Sequence, residues 1–289
     1  MKFRGQRNLV LTILPQAGIG NKLSVWSRAL VFSKHNNLEL YTFGWVNFRP
    51  KNWLKFEFNK RFYFNDFRRL NIIELLSIIL KFIFSEVKFN PSLDQLAVPN
   101  SIYVYTKYDH TFRDLKAHRQ LIIDSFLSIL SNHRLKEIEK LKHPLIGIHI
   151  RRDDFIKIGY DTPLSFYIQI LNQIRRITGI STPAIIYSDG LESDLKDILS
   201  LPSVHLAIKK SDILDLFELS KSKILITSVG SSFSYWASFL SNGIVINYQN
   251  EWLQYIKSNA NDDNSSEWYV DSQNKLPSHL EEQIKKQFI

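Results

Sequence analysis

Residues 145–155 read LIGIHIRRDDF. The run from Leu145 to Ile150 is apolar enough to be buried on both faces, as a strand inside a parallel sheet must be. It ends in two arginines and two aspartates, a charge density that only a strand end or a surface can hold. Working outward, the downstream chain alternates short β-branched runs with amphipathic stretches. The pattern predicts a helix over 163–177, a strand over 184–187, a helix over 191–199 and a strand over 204–208. A helix over 212–220, a strand over 223–227, a helix over 233–240 and a strand over 244–248 follow. A closing amphipathic helix is expected over 279–289, and 259–266 reads as a polar loop. Strand and helix alternating at this spacing imply crossover units and a parallel sheet. The opening repeats the theme: a strand from Leu9 to Leu14, a glycine turn Gly18-Ile19-Gly20-Asn21, then a helix from Leu23 to Phe32. The expected fold is α/β, with two Rossmann-like domains, 1–140 and 141–289. The last helix is read as able to pack back on the first domain.

Composition narrows the chemistry. The chain has 289 residues, 44% hydrophobic and 22% charged, which is ordinary for a globular protein. It contains no cysteine, so disulfides, thiol nucleophiles and cysteine-ligated zinc are excluded. The formal net charge of +9 favours polyanionic partners, whether nucleotide diphosphates, nucleic acid or an anionic membrane face. The N-terminus lacks the long apolar region of a secretory signal. The most apolar stretch, 72–84, is interrupted by Glu74 and Lys81 and is too short to span a bilayer.

Ligands of open parallel sheets sit at the carboxyl ends of the strands, so the loops there carry the candidate chemistry. His149, Arg151 and Arg152 form a dense anion site, because guanidinium grips phosphate at two points. Asp154 could orient one arginine. The competing reading is a surface salt-bridge cluster. Asp189, in Ser188-Asp189-Gly190, can accept from a sugar hydroxyl or cap the next helix. Asp215, in DLFELS at 215–220, can read the N1 and N2 donors of guanine, or can lie on the solvent face of a helix. The small hydroxyl run 228–236, SVGSSFSYW, offers backbone N–H and O–H donors at a helix N-terminus, which suits phosphate, though simple capping is the common alternative.

The order of these signals is distinctive. The chain resembles the α-1,2-fucosyltransferases of glycosyltransferase family 11. There a Gly-x-Gly-Asn-Gln turn precedes His-x-Arg-Arg-x-Asp, Ser-Asp-Asp, Asp-Leu-x-x-Met-Ser and Ser-Ser-Phe-Ser-Trp-Trp. The counterparts here are 18–22, 149–154, 188–190, 215–220 and 231–236. The resemblance spans the opening helix and nearly all of 145–248, and says little about 47–143. It implies a GT-B-type fold whose two Rossmann-like domains face a central cleft. The first is expected on the acceptor side and the second holds GDP-fucose. It further implies inverting transfer of L-fucose to a sugar hydroxyl, by default α-1,2 to galactose, in surface polysaccharide or O-antigen synthesis. No metal or other cofactor is expected. Arg151 and His149 are the implied catalytic residues. Donor binding falls to Arg152, Asp154, Asp189, Asp215, Ser231, Ser232, Phe233 and Ser234, with Gly18, Gly20 and Asn21 in the first domain.

The departures are Lys22 for glutamine, Ser24 for an aromatic, Gly190 for the second aspartate, and Tyr235 and Phe239 for tryptophans. They leave room for a related donor such as GDP-colitose. A metal-dependent transferase using Asp153-Asp154 or Asp262-Asp263 is a weaker rival. From another class stands a nucleic-acid or anionic-surface binding protein using the aromatic and basic stretch 49–69; no nucleic acid is expected under the transferase reading. That stretch also suits peripheral contact with an anionic membrane carrying a lipid-linked glycan acceptor. The expected location is cytoplasmic, at the inner face of the inner membrane.

Overall fold

The computed structural model describes residues 8–47, 62–83, 85–109, 111–248, 255–257, 266–270 and 275–288. Most of the aromatic and basic stretch, residues 259–265 with Asp262 and Asp263, for which a loop is expected, and the side chains of Asp153 and Asp154 lie outside the described residues. The chain divides into two units, Met1–Lys136 and Glu137–Ile289.

The first unit opens with β1 (Leu9–Ile13), α1 (Ile19–His35) and β2 (Leu40–Phe43). Next come α2 (Ile72–Ile83), β3 (Glu86–Phe89), β4 (Ser101–Tyr105) and α3 (Arg119–Ile129), while α4 (Asn132–Glu139) contains the boundary between the units. Among the described residues its strands form one four-stranded parallel sheet in the order β2-β1-β4-β3. Helix α1 is buried nearly all round, from Leu23 and Trp26 to Phe32, as expected of a helix apolar on more than one face. Its buried Arg28 is satisfied by the carbonyls of Ser24 at 3.0 Å and Thr111 at 2.6 Å and by an ion pair with Asp109 at 3.3 Å.

The second unit contains β5 (Ile146–Ile150), α5 (Asp153–Lys157), α6 (Leu164–Thr178), β6 (Ala184–Ser188), α7 (Lys196–Leu199) and β7 (Val204–Leu206). It continues with α8 (Asp212–Ser220), β8 (Ile224–Ile226), α9 (Ser232–Leu240), β9 (Ile244–Tyr248), β10 (Glu267–Val270) and α10 (Ser278–Phe288). All six strands are parallel, in the order β10-β9-β8-β5-β6-β7. Counted from β5, that order is the doubly wound Rossmann arrangement.

Strand β5 is buried at every position. Its isoleucines pack with Phe166, Ile170 and Ile174 of α6 and with Ile224 and Ile226 of β8. The i, i+4, i+8 spacing of those α6 residues puts one apolar stripe on the sheet. Each fully buried side chain of this size contributes about 1.5–3 kcal/mol.

Two expectations shift. The 191–199 segment is a tight turn of 3₁₀ helix (Glu192–Leu195) before α7, because Asp194 takes the Leu191 N–H at 3.1 Å. The last helix, allowed by the sequence to return to the first domain, buries Leu280 and Ile284 in the second unit's core and packs on α6.

At Gly147, in mid-β5, an added Cβ would collide with Ser222 Oγ and lie 3.0 Å from Leu219 Cδ1. Overpacking of this kind costs about 1–3 kcal/mol. Gly147→Val should therefore lower the urea midpoint without changing the slope of the transition.

Candidate active site

From β5 the chain winds one way to β6 and β7, and from β8 the other way to β9 and β10. The carboxyl ends of β5 and β8 therefore flank the topological switch point, where such sheets bind ligands. The arginine pair follows β5 and the hydroxyl run follows β8, so residues 151 and 228–234 meet there. The contact is direct: Arg151 N–H donates to Ser228 Oγ at 2.7 Å.

One carboxylate organises the arginines. Asp189, just past β6, accepts the Arg152 backbone N–H on Oδ1 at 2.8 Å and pairs through Oδ2 with the Arg151 guanidinium. Asp189 is thus not the helix cap: both of its oxygens are engaged by the arginine pair. Arg151's side chain keeps 16% exposure, with its guanidinium carbon 5.3 Å from the Phe155 ring centre. Arg152 is buried and paired with Asp161. A Cβ at Gly190 would sit 2.8 Å from both Cβ and Cγ of Arg152. The glycine that replaces the family's second aspartate is what lets Arg152 take this path.

The hydroxyls form a second layer. Ser228 Oγ donates to the His149 carbonyl at 2.9 Å, accepts from Arg151 N–H and lies 2.7 Å from the Tyr167 hydroxyl. Ser234 Oγ accepts the Ser228 N–H at 3.1 Å and lies 2.6 Å from His149 Nδ1. His149 is buried, with its ring centre 4.9 Å from that of Phe233. Burial, with the Arg151 charge second, lowers its pKa to about 3, so the ring is neutral at physiological pH. Ser231 caps α9 by accepting the Ser234 N–H at 3.4 Å. The first intrahelical bond belongs to Tyr235. The half-buried Ser232 and Phe233 thus stand at a helix N-terminus whose first N–H groups have no intrahelical acceptor, the kind of end that suits an anion. Tyr235, standing for a tryptophan, accepts the Gly230 N–H at 2.8 Å on its hydroxyl.

Asp215 sits in the first turn of α8, half-buried, with Oδ1 buried and without a hydrogen-bond partner. Burial first, and Asp212 second, raise its pKa to about 7. A buried carboxylate oxygen without a partner is uncommon and marks a candidate functional group.

The structure therefore gathers His149, Arg151, Arg152, Asp189, Ser231, Ser232, Phe233 and Ser234 in the second unit, with Asp215 on a neighbouring helix. Gly18, Gly20 and Asn21 belong to the first unit, at the start of α1. There Gly20 accepts from Ser24 Oγ at 3.1 Å, and Asn21 Oδ1 is buried without a hydrogen-bond partner. Sequence reasoning missed Asp161, Tyr167 and Thr162, whose hydroxyl accepts the Val229 N–H at 3.0 Å. Nothing in the local sequence marks them, since Tyr167 reads as core and Asp161 as loop. It also missed a first-unit cavity of about 440 Å³, lined by Trp45, Tyr63, Phe67, Arg68 and Arg69 among others. Trp45 and Phe67 stack there at 3.7 Å. Lys22, fully buried, donates to the Gly44 carbonyl beside it.

Known proteins add a family to this geometry. The sequence profile of glycosyl transferase family 11 matches residues 84–270, more than half the chain. No curated protein sequence matches. Among solved structures, the chain resembles the fucosyltransferase NodZ from Bradyrhizobium at 13% identity and a TM-score of 0.50, over 81% of this chain and 93% of that one. It resembles a mutant of Arabidopsis thaliana FUT1 in complex with GDP at 10% identity, covering 86% and 72%, with a TM-score of 0.49. For the E. coli heptosyltransferase WaaC the values are 9%, 97%, 98% and 0.46. The NodZ likeness is one of fold and agrees with the GT-B class expected for two parallel α/β units. With its motifs assembled at the switch point of a Rossmann sheet, the chain belongs to glycosyl transferase family 11 and is a glycosyltransferase.

Proposed function

We propose that this enzyme transfers L-fucose from GDP-fucose to a glycan hydroxyl, with inversion and without a metal or other cofactor. The observation that carries the reading is Arg151, held by Asp189 next to the open N-terminus of α9. In the reaction, the acceptor oxygen forms a bond to the anomeric carbon as the bond from that carbon to the β-phosphate oxygen breaks. The electron pair leaves with GDP. Arg151 and the N–H groups of Ser232 and Phe233 meet that growing negative charge, a role a metal fills elsewhere. Buried and neutral, His149 acts here as a positioning residue: it fixes Ser234, which holds the Ser228 backbone. Arg152 and Asp189 set the course of the loop.

Asp215 takes the guanine in this reading, its unpartnered Oδ1 accepting from N1–H and N2–H. The first-unit cavity is assigned to the acceptor, because its lining sets aromatic residues beside exposed Arg68 and Arg69, which can reach hydroxyls or a linked phosphate. An α-1,2 linkage to galactose within a surface polysaccharide is the family-based default for the product.

GDP should raise the melting temperature more than UDP does, and Arg151→Ala should erase the difference. The same variant should lower kcat by about 10²–10³-fold, the cost of removing one donor to a developing oxyanion. Wild-type activity should persist in excess EDTA, and its loss there would overturn the metal-free mechanism.

Asp215 also predicts a pH dependence. Its folded pKa of about 7 lies above the unfolded value, so its contribution to ligand-free stability is complete below about pH 4. That contribution is lost as pH rises through 7. Guanine binding needs the ionised form, so GDP affinity should rise by roughly tenfold from pH 6 to pH 8, as the competent fraction grows. Asp215→Asn should bind GDP more weakly at pH 8 and lose the part of the pH dependence that the phosphate itself does not cause. Calorimetric titration of both proteins across this range measures it.

A further inference from the structure

Helix α2 is built inside out. At 3.6 residues per turn, Ile72, Ile73, Leu76, Ile79, Leu80 and Ile83 fall within a sector of about 120°. In a helix serving a core, that sector would face inward. Here it faces solvent: Ile73 is 79% exposed, Ile72 76% and Ile83 65%. Only Ile78, on the opposite side, is buried.

The helix's two charges are both engaged away from this face. Glu74 closes a reciprocal cap with Asn71, at 2.7 and 2.8 Å, and Lys81 reaches Glu39 at 2.8 Å. The outward face therefore carries no charge. At its N-terminal end stand exposed Arg68 and Arg69 and the exposed rings of Phe62 and Phe64. The Arg69 guanidinium lies over the Phe64 ring at 3.8 Å. Twelve residues span about 18 Å of helix, well short of a bilayer's hydrocarbon core, and among the described residues no helix is long and apolar enough to cross a membrane.

We propose that α2 lies in the plane of an anionic bilayer, its Ile72–Ile73–Leu76–Ile79–Leu80–Ile83 face among the acyl chains and Arg68 and Arg69 at the phosphate level. A flat apolar face without charge, bordered by aromatics and cations, fits an interfacial anchor. A soluble protein partner would not need the cations, whereas an anionic headgroup layer does. The acceptor cavity shares Ile72 and Leu75 with this helix, so a glycan carried on a lipid would arrive beside it.

Full-length protein should pellet with phosphatidylcholine vesicles containing phosphatidylglycerol at low salt, and much less with phosphatidylcholine alone. Ile73→Glu combined with Leu76→Glu should reduce that binding by at least about tenfold. Both positions are exposed, so the melting temperature and its shift with GDP should not change, which separates this test from that of the donor reading. Because the chain has no cysteine, Leu76→Cys can carry an environment-sensitive dye. Its emission should shift to the blue with anionic vesicles, while the same dye on Glu282→Cys of α10 should not respond. Wild-type protein left in the supernatant, a double variant that still pellets, or a wild-type dimer that this variant turns into a monomer would each overturn the proposal.

Discussion

A single carboxylate sets the geometry on which the second unit's site depends. Adjacent cations at a strand end repel one another, and a flexible loop would let them turn to solvent. Asp189 prevents this with both oxygens at once, fixing the Arg152 backbone through one and the Arg151 guanidinium through the other. Breaking a largely buried pair by removing one partner costs about 3–5 kcal/mol, so the arginines are held before any ligand arrives. That matters for a leaving-group stabiliser, because donors already in position spend no reorganisation energy when charge develops.

The clamp works because three strand ends are tied together beneath it. Ser188 Oγ donates to the Ile150 carbonyl at 2.7 Å, joining β6 to β5. Ser228 Oγ joins the end of β8 to the His149 carbonyl and the Arg151 N–H. Each such bond adds only about 0.5–1.5 kcal/mol net, but a buried hydroxyl left unpaired would cost about as much or more. The layer is therefore held to one arrangement. His149 belongs to this layer. Buried beneath the loop, its ring is more economical as a neutral partner of Ser234 than as a proton carrier in contact with solvent.

The second unit was legible because a strand buried on both faces writes itself as an apolar run and its helices as stripes. Strand β9 (Ile244–Tyr248) and helix α8 (Asp212–Ser220) have the limits that periodicity indicates. Strand β3 did not announce itself: Glu86-Val87-Lys88-Phe89 is four residues long, with its two end residues exposed. The role of Asp189 was hidden by an ambiguity of chemistry, since an aspartate just after a strand and before a helix reads as a cap. In the sequence, helix α2 (Ile72–Ile83) reads only as an apolar stretch too short to span a bilayer. Its stripe is plain in the sequence, but periodicity gives the angular position of a face and not the direction it points.

The departures from the family pattern fall on supports rather than on the groups assigned to the donor. Gly190 removes a carboxylate and opens the space that Arg152 crosses. Tyr235 replaces an indole and contributes a hydroxyl to Gly230. Lys22 replaces an amide and pins Gly44, next to Trp45 of the first-unit cavity. Arg151, Asp215, Ser232 and Phe233 meanwhile keep the family's identities. Under the proposed function, a site whose scaffold is rebuilt around unchanged donor-side groups should keep its nucleotide. Under the same reading, the Lys22 change would bear on the acceptor cavity, through the Gly44 turn at the end of β2.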